Sequence, residues 1–159
     1  MGAEGDMEIR LANEDDVQVV AQMWHMGWHI GHAAVVDDAL VALRVPAEFV
    51  ARTKAHLEQT YVAVVDGVVV GFFMINGDEL YQFYLDVAHH GSGLAKRLMV
   101  EAEARLSRPR AWLGCSVGND RAAAFYVKAG WDNMGVEVFE AETSEGTCPV
   151  NIWRFEKTL

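Results

Sequence analysis

The residues best placed to do chemistry run from Phe83 to Leu98, Phe-Tyr-Leu-Asp-Val-Ala-His-His-Gly-Ser-Gly-Leu-Ala-Lys-Arg-Leu. An aromatic, apolar run stops, a glycine-bearing loop follows, and a helix with Ala, Lys, Arg and Leu begins. A strand feeding a glycine turn at a helix start leaves backbone N–H groups free, and with the helix dipole these bind anions such as phosphate. The loop is neither of the two common phosphate fingerprints. Lys96 has the wrong spacing and neighbour for G-x-x-x-x-G-K-[ST], and Lys96-Arg97 breaks the third position of G-x-G-x-x-G/A. A second chemical cluster is His25, His29 and His32, which recur at i, i+4 and i+7 and share a helix face. Two histidines at that spacing can share zinc, but no H-E-x-x-H pattern or carboxylate accompanies them. The reading here is therefore no metal.

Composition bounds what surrounds these groups. The 159 residues are 52% hydrophobic, which suits one folded domain over 1–159 with a sizeable core. The 13 basic and 23 acidic residues give a formal net charge of −10, which argues against a nucleic-acid surface. No apolar run reaches the roughly 20 residues that span a bilayer. Met1 to Glu8 lacks a basic and an apolar region, so no signal peptide and no membrane partner are expected. Two cysteines, Cys115 and Cys148, lack metal-ligand spacing and are expected as free thiols in a cytoplasmic protein.

The elements that must position the loop are legible from pattern. Met7 to Leu11 reads as a strand. Asn13 caps a helix with Glu14, Asp15 and Asp16 in its first turn, running to about Gly31. Pro46 starts another helix that ends near Glu58. Tyr61–Val65 and Val68–Ile75 are strands joined by Asp66-Gly67, a strong hairpin signal. Leu80 to Asp86 is a strand, Gly93 to Leu106 a helix, Ala111 to Ser116 a strand, and Asp120 to Ala129 a helix stopped by Gly130. Val136–Ala141 and Val150–Phe155 form a last hairpin around Thr143 to Thr147. This order predicts an α/β layer fold with a mixed sheet.

Downstream lies Asn119-Asp120-Arg121-Ala122-Ala123-Ala124-Phe125-Tyr126-Val127-Lys128-Ala129-Gly130-Trp131. With the loop it resembles the GCN5-related N-acetyltransferase (GNAT) superfamily, which carries R/Q-x-x-G-x-G/A and then N-x-x-A-x-x-F-Y-x-x-x-G-F. Here the first is His90-x-x-Gly93-x-Ala95. The second matches at Asn119, Ala122, Phe125, Tyr126 and Gly130, with Trp131 for Phe. The resemblance implies a mostly antiparallel mixed sheet flanked by about four helices, with strands four and five splayed apart. It implies acetyl-CoA as co-substrate, and a small-molecule or peptide amine as acceptor. Homodimers are common in that family and could use the last hairpin.

Residue by residue, the resemblance places acetyl-CoA against Phe83, Tyr84, Leu85, the loop His90, Gly91, Ser92, Gly93, Leu94, Ala95 and Lys96, and against Asn119 and Tyr126. His90 stands where the family has Arg or Gln, so a fixed cation is missing. Acyl transfer needs a neutral amine, a held oxyanion and a departing thiolate. An alkylamine with pKa about 10.4 costs roughly 4.6 kcal/mol to deprotonate at pH 7, so a base is useful. The resemblance implies an oxyanion-holding amide at about Leu85. It makes Tyr126 a donor to sulfur, because full transfer from a phenol of pKa about 10 to a thiolate of about 8.5 runs roughly 2 kcal/mol uphill. Some relatives use a strand-five Glu, but Gly114 stands there. Others use a Glu at the start of strand four, which is Glu79. Strand parity puts Glu79, Tyr81, Phe83 and Leu85 on one face, with Asp86 a weaker base opposite. A water chain without a dedicated base remains an alternative, as does a non-catalytic acyl-CoA sensor. The first helix would line the acceptor cleft through Trp24, Trp28, His29 and His32, with Tyr81 across from them.

Overall fold

The computed structural model describes residues 6–159, so the part of the leader reading that rests on residues 1–5 lies outside the described residues. Seven strands form one sheet: β1 (Glu8–Leu11), β2 (Thr60–Val65), β3 (Val68–Asn76), β4 (Glu79–Leu85), β5 (Arg110–Ser116), β6 (Asp132–Thr143) and β7 (Gly146–Thr158), in the order β1-β2-β3-β4-β5-β7-β6. Neighbours pair antiparallel except β4 and β5, which are parallel and pair only at Glu79 and Trp112. Beyond that position the two strands part. The helices are α1 (Val17–His32), α2 (Asp38–Leu43), α3 (Pro46–Ala55), α4 (Leu94–Glu103) and α5 (Asp120–Lys128).

Local chemistry explains most boundaries. The Asn13 side chain accepts from Asp15 N at 2.9 Å, and the Asp16 carboxylate accepts from Asn13 N at 2.8 Å. This reciprocal cap holds a 3-10 turn, Glu14–Asp16, and delays α1 to Val17. Asp66 and Gly67 have φ of 52° and 77°, the positive pair that a tight hairpin turn needs. Gly130, at φ 93°, closes α5.

Side chains from the two sheet faces make two cores. Phe73, Leu80, Leu85, Leu98 and Phe155 pack on one side, and Trp24, Phe49, Val62, Phe72 and Met74 on the other. The register slips between Met74 and Ile75, which pair with Gln82 and Leu80, so Tyr81 is an extra residue on β4. The simple alternation predicted for β4 is corrected by this bulge. Phe83 and Leu85 join the first core, whereas Tyr81 and Tyr84 join the second.

Three further expectations differ from the structure. Helix α2 escaped notice because six residues with one buried side chain, Leu40, carry no readable period. Helix α3 stops at Ala55, and Leu57–Gln59 is a separate 3-10 turn. The last hairpin is much longer than predicted. Its edge strand β6 exposes Met134, Val136 and Val138 among polar residues, so burial does not mark its ends.

Candidate active site

A cleft of about 430 Å³ lies between α1, the end of β4, the loop after it and α5, and a smaller one of about 140 Å³, lined by both β4 and β5 where they part, lies next to it. Phe83, Tyr84, Asn119, Ala122 and Tyr126 line both, so the clefts share one wall. That wall lies where the β4 backbone has lost its second partner. The Asp86 amide donates to Val70 O on β3 at 2.7 Å. Successive strand amides point opposite ways, so the Leu85 N–H turns toward the β5 side. The Leu85 carbonyl faces the same way and accepts from His90 Nε2 at 3.1 Å.

The loop after β4 is built to offer amides. Gly91 and Gly93 have φ of 80° and 86°, which favours glycine, and an added Cβ at either would meet nothing within 4 Å. Among the described residues, the amides of Gly91, Gly93, Ala95 and Lys96 reach no acceptor. They sit at the start of α4, a ten-residue helix whose dipole favours an anion there. A cation from α5 stands beside position 90. Arg121 Nη2 donates to His90 Nδ1 at 2.9 Å, and a guanidinium has only donors, so Nε2 carries the imidazole proton toward Leu85 O. Arg121 and His90 both line the larger cleft. Arg121 sits inside the Asn119–Trp131 motif at a position the pattern leaves open, which is why the sequence reading passed over it.

Of the residues expected at the cofactor, Phe83, Tyr84, Leu85, His90, Gly91, Ala95, Asn119 and Tyr126 line this cleft. Ser92, Gly93, Leu94 and Lys96 do not. The Leu94 side chain is 3% exposed in the core, and its amide takes Ser92 Oγ at 3.3 Å. Lys96 is exposed to solvent on α4. Asn119 caps α5, accepting from Ala122 N at 3.4 Å. One side of α1 supplies a wall that was not foreseen, with Met26 and Ile30 58% and 61% exposed into this cleft.

The smaller cleft holds Trp28, His32, Tyr81 and Glu79. Two of the expected acceptor residues lie elsewhere. Trp24 is fully buried against Phe49 and Phe72, with the Arg52 guanidinium 4.2 Å from its ring. His29 turns aside, its Nε2 donating to Arg44 O at 3.0 Å. The His32 ring stacks on Trp28 at 5.3 Å and donates from Nδ1 to Trp28 O at 3.1 Å. Burial pushes its pKa down to about 4. Burial, then Asp78, pushes the Glu79 carboxyl above the usual carboxylate range.

Sequence reasoning missed the polar network behind Tyr81. The Glu142 carboxylate accepts from the Tyr81 hydroxyl, from His56 Nε2 at 2.8 Å and from Arg52 Nε at 3.3 Å. The His56 bond holds Glu142 down to about 2, while burial pushes Tyr81 up to about 12. Neither group is suited to exchange a proton near pH 7. On the shared wall, the Tyr126 ring packs against Phe125 and Phe155 at 5.6 and 5.7 Å. Burial, helped by Cys115 and Tyr84, pushes its phenol well above 10. The site thus offers loop amides and Arg121 for an anion, a strand amide for an oxyanion, a protonated phenol and one carboxyl of raised pKa.

Solved structures share this architecture. The apo form of YjaB from Escherichia coli superposes with a TM-score of 0.72 over 95% of this chain and 97% of that one, at 18% identity. The PaiA N-acetyltransferase of Thermoplasma acidophilum, solved with coenzyme A, gives 0.64 over 97% and 99%, at 19% identity. In sequence, an uncharacterized N-acetyltransferase of Mycobacterium tuberculosis is 39% identical over 82 residues, 46% of this chain. The chain spans about half the length of that curated relative, 53%. The model of the acetyltransferase (GNAT) family matches residues 23–131. With that match extending over more than half of its length, the chain belongs to the acetyltransferase (GNAT) family.

Proposed function

We propose that residues 1–159 form a single cytoplasmic domain that moves an acetyl group from acetyl-CoA to a primary amine by direct attack. The observation that carries this reading is the wall common to both clefts, which holds Tyr126, with Leu85 and its amide next along β4 in the larger cleft beside the anion-binding loop. The loop amides and Arg121 suit the pyrophosphate, and Met26 and Ile30 suit the apolar parts of the co-substrate. The amine enters through the smaller cleft. Glu79 takes its proton, directly or through water, its raised pKa bringing it nearer to the working pH. As the amine nitrogen bonds to the thioester carbon, the Leu85 N–H donates to the developing oxyanion. The C–S bond then breaks. The Tyr126 hydroxyl donates to the leaving sulfur, and the proton given up by the amine is the one finally consumed. The β6–β7 hairpin, with its exposed edge, is the proposed face for a homodimer.

The test is free-thiol release from acetyl-CoA with a panel of amines, with the acetylated amine identified by mass. Thiol and product appearing in equal amounts support transfer. Tight CoA binding without thiol release for any amine would instead make the chain an acyl-CoA sensor.

A further inference from the structure

The smaller cleft holds charge that the transfer step does not use. Arg44 and Arg52 both line it and are 3% and 8% exposed. Arg44 Nη1 donates to Glu48 Oε1 and to the Glu142 carbonyl, each at 2.7 Å. Arg52 Nε and Nη2 go to the Glu142 carboxylate and the Tyr81 hydroxyl. Their remaining donors are unmet. Arg44 Nε and Arg52 Nη1 are buried without a partner, the latter 3.7 Å from Glu48, beyond hydrogen-bond reach. Among the described residues nothing accepts from Arg44 Nη2. The nearby acids cannot make up the shortfall. Glu48 serves both guanidiniums, and Glu142 is already shared by Arg52, His56 and Tyr81. A guanidinium does not shed its proton to escape this position, as lysine or histidine would. Burial and the neighbouring Arg52 both act against the Arg44 charge. Arg44 Nη2 is the unpartnered donor that is not sealed from the cleft, and an incoming anion can accept from it.

Resting on the acetyl-transfer reading above, we propose that the amine acceptor carries a carboxylate, received by Arg44 with the Arg52 charge beside it, so that the substrate class is a small amino acid or amino-acid analogue. A planar guanidinium matches a carboxylate with two parallel N–H donors. Glu79 and Glu142 face the same opening and draw the amine end of such a molecule, while excluding an acid that misses the guanidiniums. The net charge of −10 would by itself favour a purely cationic acceptor, but the buried pair sets the local preference.

The experiment measures kcat/KM by thiol release with L-amino acids, each set beside its amide and its decarboxylated amine. The acid should exceed its amide by about tenfold or more in at least one set, the usual worth of a charge-assisted contact. Amides have the less basic amine, so their greater free-amine fraction works against this result and sharpens it. In Arg44→Gln the acid-to-amide ratio should fall toward unity while calorimetric CoA affinity stays within about threefold. Equal rates for acid and amide in every set, or a ratio that survives Arg44→Gln, would overturn the proposal and leave acetyl transfer standing. If Arg44→Gln does not fold, the wild-type ratios decide alone. CoA binding with no thiol release from any acceptor would overturn both readings.

Discussion

Replacing Tyr126 by phenylalanine isolates one atom of the proposed chemistry. The ring is held by Phe125 and Phe155, and both contacts survive in phenylalanine. No described residue bonds the hydroxyl, and it is not among the buried unpartnered atoms, so the fold does not depend on it. Stability should therefore change by less than about 0.5 kcal/mol. In the transition state the same hydroxyl meets a developing thiolate, a charge-assisted hydrogen bond of about 1.5–3 kcal/mol. Its loss lowers kcat by roughly 10- to 150-fold. Because the neutral thioester sulfur is a weak acceptor, Kd for acetyl-CoA should move less than about threefold. Single-turnover thiol release, calorimetry and thermal melting separate these quantities. Burial raises the phenol pKa, so Tyr126 keeps its proton below its ordinary value of 10, and the defect of Tyr126→Phe should persist up to that pH. Unchanged turnover, or a Kd that rises as much as kcat falls, would refute the role.

Arg121→Ala should weaken acetyl-CoA binding about three- to tenfold, a modest effect because the residue is exposed, and should flatten the salt dependence of Kd; a variant Kd equal to that of the wild type at both low and high salt would remove Arg121 from the site. Gly27→Ala places a Cβ 2.4 Å from the Tyr84 ring, so the usual helix gain of about 1 kcal/mol should be outweighed by about 1–3 kcal/mol of overpacking; a raised Tm would contradict it. Glu79→Gln should abolish an acid limb of kcat/KM lying above the ordinary carboxylate pKa of 4.5. It should also slightly stabilise the fold at pH 7, where the raised pKa makes ionisation a cost, and an unaltered pH profile would exclude this base. Glu142→Gln should cost about 1 kcal/mol after discounting for a side chain 41% exposed. Glu142, lowered to about 2, stabilises above pH 4.5 and loses this as pH falls through about 2; His56, raised above 6.5, stabilises below 6.5 and loses this as pH rises through its folded pKa. The deficit should therefore peak between pH 4.5 and 6.5, and a constant deficit from pH 3 to 9 would refute the assignment.

What the sequence disclosed was chiefly local. Asp66-Gly67, Pro46 and Gly130 each force a backbone geometry, so the hairpin and two helix ends could be read directly. His90 and Gly91 of one motif and Asn119 and Tyr126 of the other line the same cleft. The misses arise where distant chain segments meet or where the period is broken. A single extra residue at Tyr81 turns Phe83 and Leu85 away from the face shared with Glu79, and no side-chain pattern announces a bulge. The Arg52–Glu142 pair joins residues 90 apart, and the Tyr81–Glu142 pair residues 61 apart. Arg44, at the end of the overlooked α2, had no spacing to reveal it. Trp24 and Trp28 lie four apart on α1 and both pack on Phe49, yet Trp24 is sealed in the core under Arg52 while Trp28 reaches the cleft.

The proposed reaction centre is the wall between the two clefts, and a crystal structure with acetyl-CoA bound tests that proposal most directly. The thioester oxygen should lie about 3 Å from the Leu85 amide nitrogen, with sulfur beside the Tyr126 hydroxyl and the carbonyl carbon open to the cleft that holds Glu79. A thioester outside the β4–β5 splay, or one whose carbonyl carbon is sealed from the smaller cleft, would contradict it.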